Sequence, residues 1–287
     1  MTPTEGRGPD PDDLDEVCLR GELTVIGRIR SASNATFLCE THLGERQTHC
    51  VYKPVAGEAP LWDFPDGTLA GREVAAYLVS AALGWNIVPY TIIRDGPAGP
   101  GMVQRWIDQP GDTADVRSES AEVESEPAAG PDLVDLLPAG RIPPGYLPIL
   151  QAYDYAGAEV TLVHADDDRL RRMAVFDVLV NNADRKGGHI LSGVDGRVYG
   201  VDHGVTLHVE DKLRTVLWGW AGKPVDDPTL EAVTALRDDL RNGLADRLGD
   251  HITMREVAAL LARTVALLND PVMPTPDRRR PIPWPAF

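Results

Sequence analysis

From Val17 onward, apolar and polar positions alternate through CLRGELTVIGRIRS, ATFLCETHLG and RQTHCVYKPV, with turn-forming residues between the runs. Period-two alternation in stretches rich in Val, Ile, Thr and Leu predicts an antiparallel meander of three strands. The period then changes. In LAGREVAAYLVSAALG, the residues Val74, Tyr77, Leu78, Ala81 and Trp85 recur at helical spacing, and Gly84 supplies a stop. Two more strands, NIVPYTIIRD and GMVQRWID, flank the turn GPAGPG. The first half thus predicts a five-stranded sheet with one helix inserted after the third strand.

Residues 109–131 carry no apolar periodicity and read as an acidic, disordered linker or insert. Beyond them the pattern is mainly helical. DRLRRMAVFDVLVNN predicts one buried helix, and DPTLEAVTALRDDLRNGLADRL a second, with Asp227 as cap and Pro228 at the first position. TMREVAALLARTVALL predicts a third, opened by a capping box of Thr253 and Glu256. Between the first two, ILSGVDGRVYGVDHGVTLH reads as a short hairpin through the VDG turn. Residues 1–16, with six carboxylates and little to bury, read as a disordered acidic lead. The tail, 270–287, carries six prolines and reads as extended. The plan is a β-rich N-lobe over 17–108, the linker, and an α-helical C-lobe over 132–269.

Composition narrows the function. The 287-residue chain has 44 acidic against 28 basic side chains, a formal net charge of −16. That balance repels nucleic-acid phosphates and anionic membrane surfaces. No apolar run is long enough to span a bilayer: Asp177 interrupts Met173–Val180 and Arg263 interrupts Val257–Leu268. Three cysteines, an odd number with no Cys-x-x-Cys spacing, and a polar N-terminus predict reduced thiols and a cytoplasmic protein.

Candidate chemistry concentrates in Asn181-Asn182-Ala183-Asp184-Arg185-Lys186-Gly187-Gly188-His189 and in Gly200-Val201-Asp202-His203-Gly204. A buried helix runs into a loop holding Asp184, and eighteen residues later Asp202 stands in a glycine-containing turn. Phosphoryl transfer needs such a pair, one carboxylate for the accepting hydroxyl and one for a metal ion on the triphosphate. Taken singly, an Asp in a loop reads first as a turn former or helix cap, and so does Asp184. A metallohydrolase built from His189, His203 and His208 matches no zinc-site spacing. A hydrolase on Ser33 lacks a nucleophile elbow.

VFDVLVNNADRKGGHIL resembles the catalytic loop of the phosphatidylinositol 3-/4-kinase-like superfamily, which also contains atypical bacterial Ser/Thr kinases of the toxin type. VDHGVTL resembles the superfamily's metal-binding turn, in the form found in type II phosphatidylinositol 4-kinases. The resemblance covers about residues 20–268. It implies an α+β, two-lobed protein-kinase-like fold with ATP between the lobes. It further implies Mg²⁺- or Mn²⁺-dependent transfer of the γ-phosphoryl group to a hydroxyl.

Residue by residue, Asp184 matches the catalytic aspartate and Asp202 the metal-binding one. Lys53 matches the strand lysine that contacts phosphates, and Glu73 the helix glutamate that pairs with it. His189 occupies the position of the superfamily's second metal ligand, an asparagine, which predicts a preference for Mn²⁺. Ser33 and Asn34 in the first strand connection, Gln104 and Trp106 near the interlobe hinge, and Arg185 complete the expected nucleotide contacts.

With no basic membrane-facing patch, the chain is expected to phosphorylate a protein Ser/Thr or a small molecule rather than a phosphoinositide. A pseudokinase that senses nucleotide and a nucleotidyl transferase on the same fold are the alternatives. Trp218 and Trp220 read as core or cleft wall. Arg278–Arg280 read as a solvated run, or one docked on the protein's own acidic surface.

Overall fold

The computed structural model describes residues 11–29, 34–111, 132–154 and 156–287. The chain is a mixed α+β protein with antiparallel sheets, and it divides into two compact units. The described part of the first comprises 11–29, 34–59 and 89–106; that of the second comprises 60–88, 107–111, 132–154 and 156–287. The linker expected at 109–131 lies, from 112 on, outside the described residues.

In the first unit, α1 (Pro11–Arg20) precedes the strands β1 (Glu22–Arg28), β2 (Phe37–Leu43), β3 (Arg46–Pro54), β4 (Thr91–Gly96) and β5 (Gly99–Arg105). They form the five-stranded sheet expected, in the order β1-β2-β3-β5-β4. The core is small: Cys18, Cys39, Cys50, Tyr52 and Val103 are fully buried. Tyr52 donates from its hydroxyl to the Gly99 carbonyl at 2.6 Å, and its ring fills the space that a Cβ on Gly96 or Gly101 would need.

The acidic lead is corrected here, because Pro11–Arg20 is helical and the first strand starts at Glu22 instead of Val17. Val17 and Cys18 are buried, so the segment has an apolar face after all. Its carboxylates are used as well: Arg46 reaches Asp13 and Glu16 at 2.9 and 3.1 Å, and Arg105 reaches Asp15 at 2.6 Å.

The second unit contains α2 (Leu69–Ala82), α3 (Asp168–Val180), the hairpin of β9 (Ile190–Ser192) and β10 (Val198–Gly200), and the helices α4 (Asp227–Arg241), α5 (Leu244–Gly249) and α6 (Met254–Asn269). Met173, Phe176, Leu179 and Val180 of α3 meet Val79 of α2, Leu236 of α4 and Leu260 of α6 in one apolar core. The helix inserted after β3 therefore groups with the second unit, not with the sheet that flanks it in sequence. Arg72 of α2 and Glu256 of α6, both buried, pair at 2.6 Å. Glu256 also completes the expected capping box with Thr253.

Three further expectations are revised. The chain after the linker opens with an antiparallel sheet, β6 (Val134–Pro138), β7 (Tyr146–Tyr153) and β8 (Glu159–Ala165), in the order β6-β8-β7. The second predicted helix is two, broken at Asn242 and Gly243, where the glycine takes φ 118°, and α4 is capped by Asp226 rather than Asp227. The tail is extended as expected but seated: Met273 is buried, and Trp218 donates from Nε1 to the Pro281 carbonyl at 2.9 Å. Among the described residues, no helix is long and apolar enough to cross a membrane.

His164 of β8 ties the small sheet to the chain near Trp220. Its Nδ1 donates to the Ala165 carbonyl at 2.8 Å, and its Nε2 accepts from the Gly219 amide at 3.0 Å. Burial pushes its pKa below the ordinary histidine value. The unfolded chain then binds the proton more readily than the folded one. Stability from this residue is therefore complete above about pH 6.5 and is lost as the pH falls below it. His189 and His251 shift in the same direction, so the test is a difference. Denaturant midpoints should fall more steeply with acidification in the wild type than in His164→Gln; equal slopes would remove His164 from the effect.

Candidate functional site

The site begins inside α3. Asp177 lies on a helix that is otherwise apolar toward the core, and its side chain is wholly buried. A carboxylate in that position must be fully hydrogen-bonded. It is. Arg185, equally buried, donates to it from Nε at 3.1 Å and from Nη2 at 2.9 Å. The Asn182 side-chain amide and the Thr215 hydroxyl donate at 2.9 and 3.1 Å.

The loop after α3 is folded around that pair. Asn181 ends the helix in the left-handed conformation, φ 52°. Its side chain donates to the carbonyls of His208 and Glu210 and accepts from the Lys212 amide. Asn182 accepts the Asp184 amide on its side-chain oxygen at 3.0 Å, which sets the start of the 184–189 loop.

Arg185 then reaches the second half of the site. It donates to the carbonyls of His189 and Val201, each at 3.3 Å, and to Nε2 of His203 at 2.7 Å. A Cβ on Gly200 would lie 3.0 Å from its guanidinium. One buried arginine thus fixes both the 184–189 loop and the 201–203 turn.

Asp202 sits in that turn at φ 59°, a conformation costly for a residue with a side chain. Glu73 of α2 holds the turn, accepting the His203 amide on Oε2 at 2.8 Å. The Asp202 carboxylate is half exposed, and His189 Nε2 lies 3.4 Å from its Oδ2. Burial pushes the His189 imidazole down to about 4. At neutral pH the ring is uncharged, so this contact is dipolar rather than an ion pair. Burial also lifts the Asp184 carboxyl above its ordinary value, opposed by Lys186, whose ammonium is 3.2 Å from Oδ2, and reinforced by the charge of Asp202. Asp202 and the neutral His189 imidazole thus lie side by side, and Asp184 is near enough to feel the Asp202 charge; among the described residues no three His, Cys, Asp or Glu side chains are grouped as a ready-made metal site.

No protein-family model matches the chain. Over 276 residues it is 68% identical to Protein Rv2133c of Mycobacterium tuberculosis, with 96% of each chain covered. The chain belongs to the family of Protein Rv2133c.

Of the residues singled out from sequence, Asp184, His189, Asp202 and Glu73 come together in this one unit. Arg185 is corrected: with 0% of its side chain exposed and its donors spent on protein acceptors, it positions the site and has no face for a nucleotide. Gln104 is corrected likewise, since its buried amide donates to Thr91 across the β4–β5 ladder. Lys53, on β3, and Trp106, half-buried just after β5, belong to the first unit, as does Asn34, whose side chain accepts the Ala59 amide at 2.9 Å. Ser33 lies outside the described residues.

Asp177 was not singled out, although its signal was present as a lone carboxylate in an apolar helical run. Removing it would strand a buried guanidinium, a loss on the order of 3–5 kcal/mol. Asp177→Ala should lower the free energy of unfolding by about that amount, read as a lower denaturant midpoint. Arg185→Lys, which keeps the charge and loses the fork, should also destabilise. Wild-type stability in both variants would show that the pair is dispensable.

Proposed function

We propose that this protein is an ATP-dependent phosphotransferase with a protein-kinase-like fold, transferring the γ-phosphoryl group to a hydroxyl. The observation that carries the reading is that Asp184 lies within electrostatic reach of Asp202, in a loop and a turn tied together by one buried arginine. Two carboxylates of separate function are what phosphoryl transfer demands of a protein.

In this reading Asp202, with His189, would hold a divalent cation, which supplies neutralisation of the triphosphate charge. Asp184 would orient the acceptor hydroxyl and accept its proton, a role favoured by a carboxyl whose affinity for protons burial has raised. The acceptor oxygen bonds to the γ-phosphorus, the bond from that phosphorus to the bridging oxygen breaks, and ADP leaves. Glu73 keeps the Asp202 turn in its strained conformation. Lys53 is assigned to the phosphates on its chemistry and on the resemblance.

ATP labelled at the γ or the α position, incubated in parallel with Mg²⁺ and with Mn²⁺, tests the reading. Label should reach an acceptor, or the protein itself, from the γ position alone. Transfer from the α position would indicate a nucleotidyl transferase, and transfer from neither a nucleotide-sensing pseudokinase. Asp202→Asn should abolish metal-dependent thermal stabilisation by ATP, while the unliganded melting temperature stays near wild type because the side chain is half exposed.

His189 makes a second test possible. An imidazole in place of an amide oxygen favours Mn²⁺ over Mg²⁺. The ratio of Mn²⁺- to Mg²⁺-dependent stabilisation by ATP should fall in His189→Asn. An equal ratio in the two proteins would take the histidine out of the metal site.

A further inference from the structure

The tail after α6 returns along the 184–189 loop. The Gly187 amide donates to the Ala286 carbonyl at 2.8 Å, and the Thr215 amide to the Pro281 carbonyl at 3.0 Å. Phe287 fills the space a side chain on Gly187 would take. This course brings Arg278, Arg279 and Arg280 against Lys212 and Arg214, around a cavity of about 400 Å³. Positive charge is thus concentrated locally in a chain that is acidic as a whole.

Among the described residues of the lining, Asp211 is the one carboxylate. It is occupied: Arg278 reaches its two oxygens from Nε at 2.9 Å and from Nη2 at 2.7 Å, so the run is partly docked, as one of the two sequence readings had it. Lys212 is shared between Asp63 and Glu210 at 3.4 and 3.7 Å. Among the described residues Arg279 and Arg280 form no ion pair within 4.0 Å, and Arg214 forms none either, although its charge acts on the Asp184 carboxyl and favours its ionised form. In a chain of net charge −16, three guanidinium groups not committed to close ion pairs beside one cavity supply the charge-assisted donors that an anion needs.

The cavity adjoins the chemistry. Arg214 donates its amide to the Asn182 carbonyl at 2.8 Å, and its carbonyl accepts the Arg185 amide at 3.0 Å, so its backbone brackets Asp184 on both sides. We propose that the cavity receives a phosphate group already carried by the acceptor, held by Arg214, Arg279 and Arg280, so that a hydroxyl of the same molecule is presented to Asp184. The anion site stands on the cavity itself; its role as the acceptor subsite rests on the phosphotransferase reading.

The test uses the full chain at low ionic strength. Inorganic phosphate and glycerol 3-phosphate are titrated by calorimetry, with and without saturating ATP and Mn²⁺. Both should bind saturably, and ATP should not displace them. Arg214→Gln and the double variant Arg279→Gln/Arg280→Gln should each weaken binding by roughly tenfold or more, as expected for lost charge-assisted hydrogen bonds. Arg279 and Arg280 are exposed, so the double variant should keep the wild-type melting temperature.

Co-sedimentation with phosphatidylcholine vesicles containing phosphatidylglycerol separates the two sources of phosphate. Sedimentation lost in the double variant assigns a lipid headgroup; binding of the soluble probes without sedimentation assigns a soluble acceptor. Absence of saturable binding, equal binding by the variants, or displacement by ATP would overturn the proposal. If phosphate binds but ATP with metal never stabilises the wild type, the phosphotransferase reading fails and takes the acceptor role with it, leaving a phosphate site alone.

Discussion

The buried pair of Asp177 and Arg185 is the interaction around which the rest of the site is organised. Taking two charges out of water costs several kcal/mol per ion, and a pair of similar volume made of apolar residues is often as stable. The pair is therefore better understood through what it fixes than through net stability. Asp177 is anchored in the rigid middle of α3, and Arg185 is the first residue after Asp184. The arginine's remaining donors go to the His189 and Val201 carbonyls and to His203. A single side chain with a rigid, planar array of donors links a helix, a loop and a turn in one geometry, which a flexible ammonium cannot do. The absence of a side chain at Gly200 follows directly, because a Cβ there would press on the guanidinium.

Helix α2 contributes the other constraint through neighbouring residues with different duties. Arg72 is fully engaged with structure, pairing with Glu256 at 2.6 Å and donating to the Thr206 carbonyl at 2.8 Å. That contact fixes α2 against α6 and against the segment just beyond the turn. Glu73, one position on, then meets the His203 amide. The left-handed conformation of Asp202 costs on the order of 1–3 kcal/mol, and it persists because the arginine on one side and the glutamate on the other over-determine it.

Legibility in the sequence tracked how much each segment depends on local pattern. The five strands of the first sheet, α2, α3, the β9–β10 hairpin and the Thr253 cap were readable because alternation, helical period and cap chemistry are local signals. The sheet of β6, β7 and β8 was not. β7 is largely exposed along its length, and its apolar residues do not alternate cleanly, so its identity comes from pairing with β8 rather than from its own composition. The helicity of residues 11–16 likewise depends on distant partners, with Arg46 and Arg105 donating to carboxylates that in sequence look only repulsive. At the site, motif residues such as Asp184 and Asp202 were legible, while the supporting Asp177, Asn182 and Thr215 were not, since long-range hydrogen bonding leaves no spacing to read. Arg185 and Gln104 were misassigned for a related reason: a polar residue in or near a motif carries the same signal whether it faces a ligand or the core.

Net charge is the quantity whose meaning changed most between sequence and structure. A total of −16 excludes whole classes of polyanionic partner only if the charge is evenly spread. Here carboxylates and cations are sorted. The strands and α1 of the first unit neutralise one another in pairs, whereas the segment 211–214 and the tail collect arginines on one rim of the second unit. The tail's hydrogen bonds at Thr215 and Gly187 create that rim by holding three consecutive arginines, which the sequence places far from the loop, within reach of it. An acidic surface elsewhere then has a use of its own. It repels anions from most of the protein, so that a cavity lined by Lys212, Arg214 and Arg278–Arg280, next to the backbone that brackets Asp184, is a local reversal of the overall sign.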